Sequence, residues 1–134
     1  MQKFTTFLMF VGEKCGKAEE AIEFYTSLFK NSEVINIQRH GPGTEEIEGS
    51  VQHLLFTLNG QEFMAMDSNR EHNFTFTPAT SIFVQCESDE ELENAYQQMV
   101  QGGSILMPQD NYGFSQEFAW VQDRYGVSWQ LNLA

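Results

Sequence analysis

Basic residues are scarce in this 134-residue chain. Seven Lys plus Arg stand against nineteen Asp plus Glu, for a formal charge of −12 at pH 7. So acidic a surface repels phosphate backbones and anionic headgroups, which argues against nucleic acid and membrane surfaces as partners. No apolar run approaches the length of a membrane span. The opening MQKFTTFLMFVGEKCG carries a short apolar stretch broken by threonines, which suits a first strand better than a signal peptide. Cysteine is limited to Cys15 and Cys86, with no CxxC or other ligand spacing. Nothing asks for a disulfide framework, and the expected compartment is a reducing cytoplasm. Against these absences stand a hydrophobic fraction of 41% and twelve Phe residues, which predict one folded domain with a sizeable core.

Periodicity divides the chain into two similar halves. KFTTFLMFV (3–11) reads as a strand. KAEEAIEFYTSLFK follows, with Ala18, Ala21, Ile22, Tyr25, Leu28 and Phe29 at helical spacing and Glu19 and Glu20 in the first turn. SEVINIQRH, SVQHLLFTLN and QEFMAMD read as three further strands, the last two separated by a turn at Gly60. SNREHNFTFTP (68–78) is polar, broken by Pro78, and reads as a linker. The order then repeats. TSIFVQC is a strand, and SDEELENAYQQMVQGG is a helix with a capping box from Ser88 to Glu91 and a glycine stop. SILMP, QEFAWVQ and VSWQLNL are strands. The sequence therefore predicts an α+β fold of tandem βαβββ modules, 1–67 and 79–134, within one domain spanning 1–134, with helices near 17–30 and 89–101. Each sheet would bury one face under its helix, and two curved sheets facing each other would enclose a cleft. The apolar residues left on the sheets predict a homodimer.

Strand alternation nominates residues for the uncovered faces. In the last strand Val127, Trp129, Leu131 and Leu133 share one side, and Ser128, Gln130 and Asn132 the other. Trp120 goes with Phe118 and Gln122, away from Ala119 and Val121, and is a candidate aromatic wall for a flat ligand. His53 parts from Leu54, Phe56 and Leu58 to join Val51, Leu55 and Thr57. It is either a base or ligand-orienting donor, or a hydrogen-bonded histidine without a chemical role. His40 and His72 read as solvated loop residues, and Asp123 with Arg124 as a structural turn. Cys15, between Lys14 and Lys17 and just before a helix, sits where a thiol pKa is lowered. It still lacks a local His or acid to make a nucleophilic pair.

Three stretches carry a resemblance: AEEAIEFYTSLF in the first helix, GSVQHLLFTLNGQEFMAMDS across two strands, and FAWVQDRYGVSWQLN at the end. Over its whole length the chain resembles the vicinal-oxygen-chelate superfamily of glyoxalase I, bleomycin-resistance proteins and extradiol dioxygenases. It is most similar to the PhnB-like branch, often labelled 3-demethylubiquinone-9 3-methyltransferase. The extra residues around GEKCG depart from that pattern.

The resemblance implies paired βαβββ modules around a cleft, dimeric assembly and, in the superfamily's enzymes, a divalent metal held from four strand positions. Carried over one at a time, those positions fall on Thr6, on Ala65 or Asp67, on Ser81 and on Gln130. Thr6, Ser81 and Gln130 are neutral, and one carboxylate among neutral oxygens is a poor divalent site, so no metal or other cofactor is expected. The methyltransferase label finds no glycine-rich strand-to-helix turn in a parallel sheet to support it. The expected function is small-molecule binding through Thr6, His53, Asp67, Ser81, Trp120 and Gln130. A metal-dependent glyoxalase- or dioxygenase-like enzyme is the alternative, and no catalytic residue is assigned.

Overall fold

The computed structural model describes residues 2–134 and divides the chain into two compact units, one running to Thr75 and the other from Phe76 to Ala134. The first contains β1 (Thr6–Phe10), a 3₁₀ turn (Gly12–Lys14), α1 (Ala18–Leu28), β2 (Glu33–Arg39), β3 (Val51–Leu58) and β4 (Gln61–Asp67). The second contains β5 (Ser81–Gln85), α2 (Asp89–Met99), β6 (Ser104–Asp110), β7 (Glu117–Gln122) and β8 (Ser128–Leu133). Both units are βαβββ, and the fold is α+β, as the periodicity predicts.

Each unit forms one four-stranded sheet, in the order β1-β4-β3-β2 or β5-β8-β7-β6. β1 runs parallel to β4 and β5 parallel to β8, while the remaining pairs are antiparallel. The β3–β4 hairpin turns at Asn59-Gly60, both in the left-handed region with φ of 49° and 82°. That conformation matches the twist of a two-residue hairpin and favours this dipeptide. The outer strands β2 and β6 are irregular, with register shifts between Val34 and Asn36 and between Ile105 and Met107.

One helix lies over one face of each sheet: α1 over β3, β2 and β4, and α2 over β7 and β8. Ala18, Ala21, Ile22 and Tyr25 of α1 are fully buried against Leu8, Phe10, Leu54, Phe56, Phe63 and Ala65 on that face. In the second unit Leu92, Ala95 and Met99 meet Ala119, Val121, Trp129 and Leu131. Half of the expected capping box forms, with the Glu91 amide donating to Ser88 Oγ at 3.1 Å. The Glu91 carboxylate accepts from the Glu87 amide rather than from that of Ser88. Outside the cores, Arg39 donates to both carboxylate oxygens of Glu19 at 2.6 Å, which ties the end of β2 to α1 and lowers the Glu19 pKa.

Two buried carboxylates fasten the chain where strands end. Asp67, 1% exposed, accepts from the backbone amides of Gly16 (2.7 Å), Ala18 (3.1 Å) and Val51 (3.0 Å). It thereby joins the last residue of β4 to the start of α1 and the start of β3. Asp123, 3% exposed, accepts from the amides of Tyr125 and Val127 and from Trp129 Nε1 at 2.9 Å. It closes the β7–β8 turn and orients the indole at the centre of the core.

Removing either carboxylate strands buried donors. Asp67→Ala is expected to lower unfolding free energy by about 3 kcal/mol or more, since bonds to charged acceptors are worth ~1.5–3 kcal/mol each. Urea unfolding checks this, and a loss below about 1 kcal/mol would contradict the anchoring role. Asp123→Ala should also destabilise the chain and shift Trp129 emission in the native state. Unchanged emission would show that the indole is held by packing alone.

Candidate functional site

The face of the second sheet turned away from α2 is lined by three rows across β5, β8 and β7. Ser81, Ser128 and Gln122 form the first, Phe83, Gln130 and Trp120 the second, and Gln85, Asn132 and Phe118 the third. The helix-side residues between them are apolar, buried on β7 and β8 and half-buried on β5, so alternation dictates this facing. The structure thus brings Ser81, Trp120 and Gln130 together on one open face. Ser81 Oγ and Ser128 Oγ are 2.7 Å apart, and Trp120 Nε1 donates to Ser128 Oγ at 2.8 Å, which pins the indole over β8. Asn132 Nδ2 donates to Gln85 Oε1 at 3.0 Å, and the Ser115 hydroxyl donates to Asn132 Oδ1. Tyr112 and Phe114, from the β6–β7 loop, close against Phe118 and bury it. The middle row differs. Among the described residues the half-buried Gln130 amide has no hydrogen-bond partner, although it lies between two aromatic side chains. No side chain of the three rows is ionisable, on a chain of charge −12.

The first sheet's open face has another character. Phe7 and Met9 of β1, Met64 and Met66 of β4, and His53, Leu55 and Thr57 of β3 point away from α1. His53 faces the open side as alternation predicts, with its ring centroid 6.2 Å from that of Phe7. Val51, expected beside it, is instead buried, at a point where the β2–β3 register shifts between Gln38 and Arg39.

Two expectations are corrected. Thr6 pairs with the buried Phe63 and shares the helix-side parity of Leu8 and Phe10, so Phe7 and Met9 take the open positions. Asp67 shares the parity of Phe63 and Ala65 and spends its carboxylate on three backbone amides.

The donor set does not fit a divalent ion. The ionisable open-face residues of β3 and β4 are His53 and Glu62, and Glu62 pairs with Lys3 at 3.3 Å. Among the described residues no group of three or more His, Cys, Asp and Glu could hold a metal. Phe and Met side chains with neutral oxygens are poor ligands for Mg²⁺, Mn²⁺ or Zn²⁺.

The other singled-out groups lie elsewhere. Burial, then the Asp67 and Glu46 carboxylates, raises the Cys15 pKa, overriding the lysines that suggested activation. Cys86 is pushed up to about 12, chiefly by burial. His72 Nε2 lies 2.9 Å from Ser68 Oγ, and His40 Nε2 is buried without a hydrogen-bond partner among the described residues, so neither ring is simply solvated.

Both thiols should therefore react with iodoacetamide at pH 8 more slowly than free cysteine, because a raised pKa reduces the thiolate fraction. Cys86 should be modified only on unfolding. Rapid labelling of native Cys15, read by mass spectrometry, would contradict the assigned environment.

The family model described as 3-demethylubiquinone-9 3-methyltransferase matches residues 2–132. Among solved structures, the PhnB protein from Bacillus cereus is 56% identical, with a TM-score of 0.93 over 99% of this chain and 100% of that one. The Pseudomonas aeruginosa protein PA1353 is 21% identical, with a TM-score of 0.84 over 99% and 98% of the two chains. The fosfomycin resistance protein FosX from Listeria monocytogenes shares the fold at 14% identity, with a TM-score of 0.66 over 98% and 91%. A comparison with curated proteins gives no match. With nearly its whole length matched and each unit built as βαβββ, the chain belongs to the PhnB-like 3-demethylubiquinone-9 3-methyltransferase family and has the glyoxalase/bleomycin-resistance fold.

Proposed function

We propose that this protein binds a small neutral molecule on the open face of its second sheet, without a resident divalent metal. The observation that carries this reading is the Gln130 amide, unpartnered between Phe83 and Trp120 in a face whose other polar groups are mostly paired to one another. A half-buried amide gains from a ligand group that both donates and accepts, and a neutral group suits it better than a cation. Ser81 and Trp120 would contribute to the same site, and His53 is a separate candidate contact residue on the first sheet's own open face.

A variant of FosX has been solved in complex with Mn(II). Here the open positions carry Phe7, Met9, Met64, Met66, Ser81 and Gln130, which supports binding without that chemistry. Methyl transfer, named in the family's description, gains no support from mostly antiparallel sheets whose strand-to-helix turns lack a closely spaced glycine run. Two free cysteines fit a reducing cytoplasm. No described helix is long and apolar enough to cross a membrane. Exposed Phe7, Ile35, Phe83 and Ile105 on the sheets support a homodimer.

A fragment screen read by thermal shift and by the Gln130 side-chain amide resonances tests the reading. Hits should move those resonances in the wild type, and Gln130→Leu should abolish the thermal shifts the hits cause while leaving the melting temperature of the free protein nearly unchanged. Mg²⁺, Mn²⁺ and Zn²⁺ should leave the wild-type resonances of this face unmoved. A screen with no hit on the face, or a stoichiometric ion bound there, would overturn it. Sedimentation at micromolar concentration should give twice 15.4 kDa, and a monomer would refute the dimer.

A further inference from the structure

Resting on the binding role just proposed, we infer a ligand class: a flat heteroaromatic ring that carries a cis-lactam edge, an N–H beside a C=O. Two features of the middle row lead there. The first is its aromatic flanks. Phe83 and Trp120 are the register partners of Gln130 on either side of β8. The Trp120 indole leans over β8 toward Ser128, so a flat ring can stack on it beside the Gln130 amide, with Phe83 on the other flank. Trp120 is the fixed wall, because its indole N–H is spent on Ser128. Phe83 is the adjustable one, 56% exposed and without an aromatic partner among the described residues.

The second feature is the floor. The primary amide of Gln130 presents an N–H and a C=O side by side in one plane. A cis-lactam presents the complementary C=O and N–H at the same separation, so the two edges can exchange a pair of parallel hydrogen bonds. An isolated ketone or ether uses only the donor, and a hydrocarbon ring uses neither. A carboxylate-bearing ring would confront the acceptor oxygen and the overall charge of −12. The flanking rows do not compete for the lactam, since the Ser81–Ser128 and Gln85–Asn132 pairs are already satisfied by each other.

The probes are quinazolin-4(3H)-one, its N3-methyl derivative and 2-piperidone, titrated into the full chain and followed by the Gln130 amide and Trp120 indole resonances. The bicyclic lactam should bind and move both. N-methylation, which removes only the donor, should weaken binding at least tenfold. Piperidone, which keeps the edge but loses the ring, should weaken it by a similar factor. Gln130→Leu should bring the lactam down to the level of its methylated form. Because the decisive comparison changes the ligand, it stands even if a variant misfolds. Equal binding of the lactam and its methyl derivative would overturn the lactam edge. Failure of all three probes while unrelated fragments still shift the Gln130 amide would overturn the ligand class and leave the binding role standing. The binding role itself fails when no fragment engages the face or a stoichiometric ion is bound there.

Discussion

A four-stranded sheet has two faces, and each unit of this protein has one helix with which to cover them. The residues beneath the helix must be apolar or fully bonded, and those on the far side are released from that demand. Leu54, Phe56, Phe63 and Ala65 answer the first requirement in one unit, and Ala119, Val121, Trp129 and Leu131 in the other. The buried carboxylates keep to the same rule. Asp67 lies on the covered side because three backbone donors offset its desolvation, and Asp123 because an indole and two amides do. The open positions of each sheet therefore lie on its opposite face, and their chemistry differs between the two units. The first offers thioethers, a phenyl ring and an imidazole, and the second offers neutral hydroxyls and amides between aromatic side chains.

Much of this is legible in the sequence, and the particular failures are physical. The side of β8 that carries Gln130 is legible because VSWQLNL alternates apolar and polar residues without interruption after a tight turn, and Trp129 and Leu131 take the helix side. Ser81 and Trp120 follow from similarly patterned strands. Thr6 fails because Phe7, Leu8, Met9 and Phe10 are apolar on both sides of β1, leaving no alternation to fix parity, and a slip of one residue turns every side chain over. FMAM in β4 has the same defect, so the facing of Asp67 was open. Nothing local announces that its partners would be Gly16, Ala18 and Val51, which lie far away in the chain. Cys15 is a similar case. Its neighbouring lysines are visible in the sequence, but the Asp67 and Glu46 carboxylates that join burial in raising its pKa are not.

The boundaries were also largely legible. QEFMAMD is β4 to the residue, and both helices lie within the ranges expected from their periodicity. Ends drifted where propensity outruns pairing. The aromatic run 3–11 reads as a longer strand than the five residues of β1, whose pairing with β4 sets its extent. Val51 shows another limit: it is buried where strict alternation groups it with the half-buried His53, beside a register shift between Gln38 and Arg39.

Those irregular outer strands have a consequence for the protein in concentrated solution. Among the described residues β2 and β6 each have a strand partner on one side alone, and they expose Val34, Ile35, Ile105 and Leu106. A flat edge of that composition would recruit another chain's strand. The register shifts in both strands, and Pro108 within β6, break the even spacing of N–H and C=O groups that such recruitment copies. The acidic surface adds mutual repulsion at longer range. Sheet growth from chain to chain is thus disfavoured at β2 and β6, the two edges that carry these exposed apolar residues.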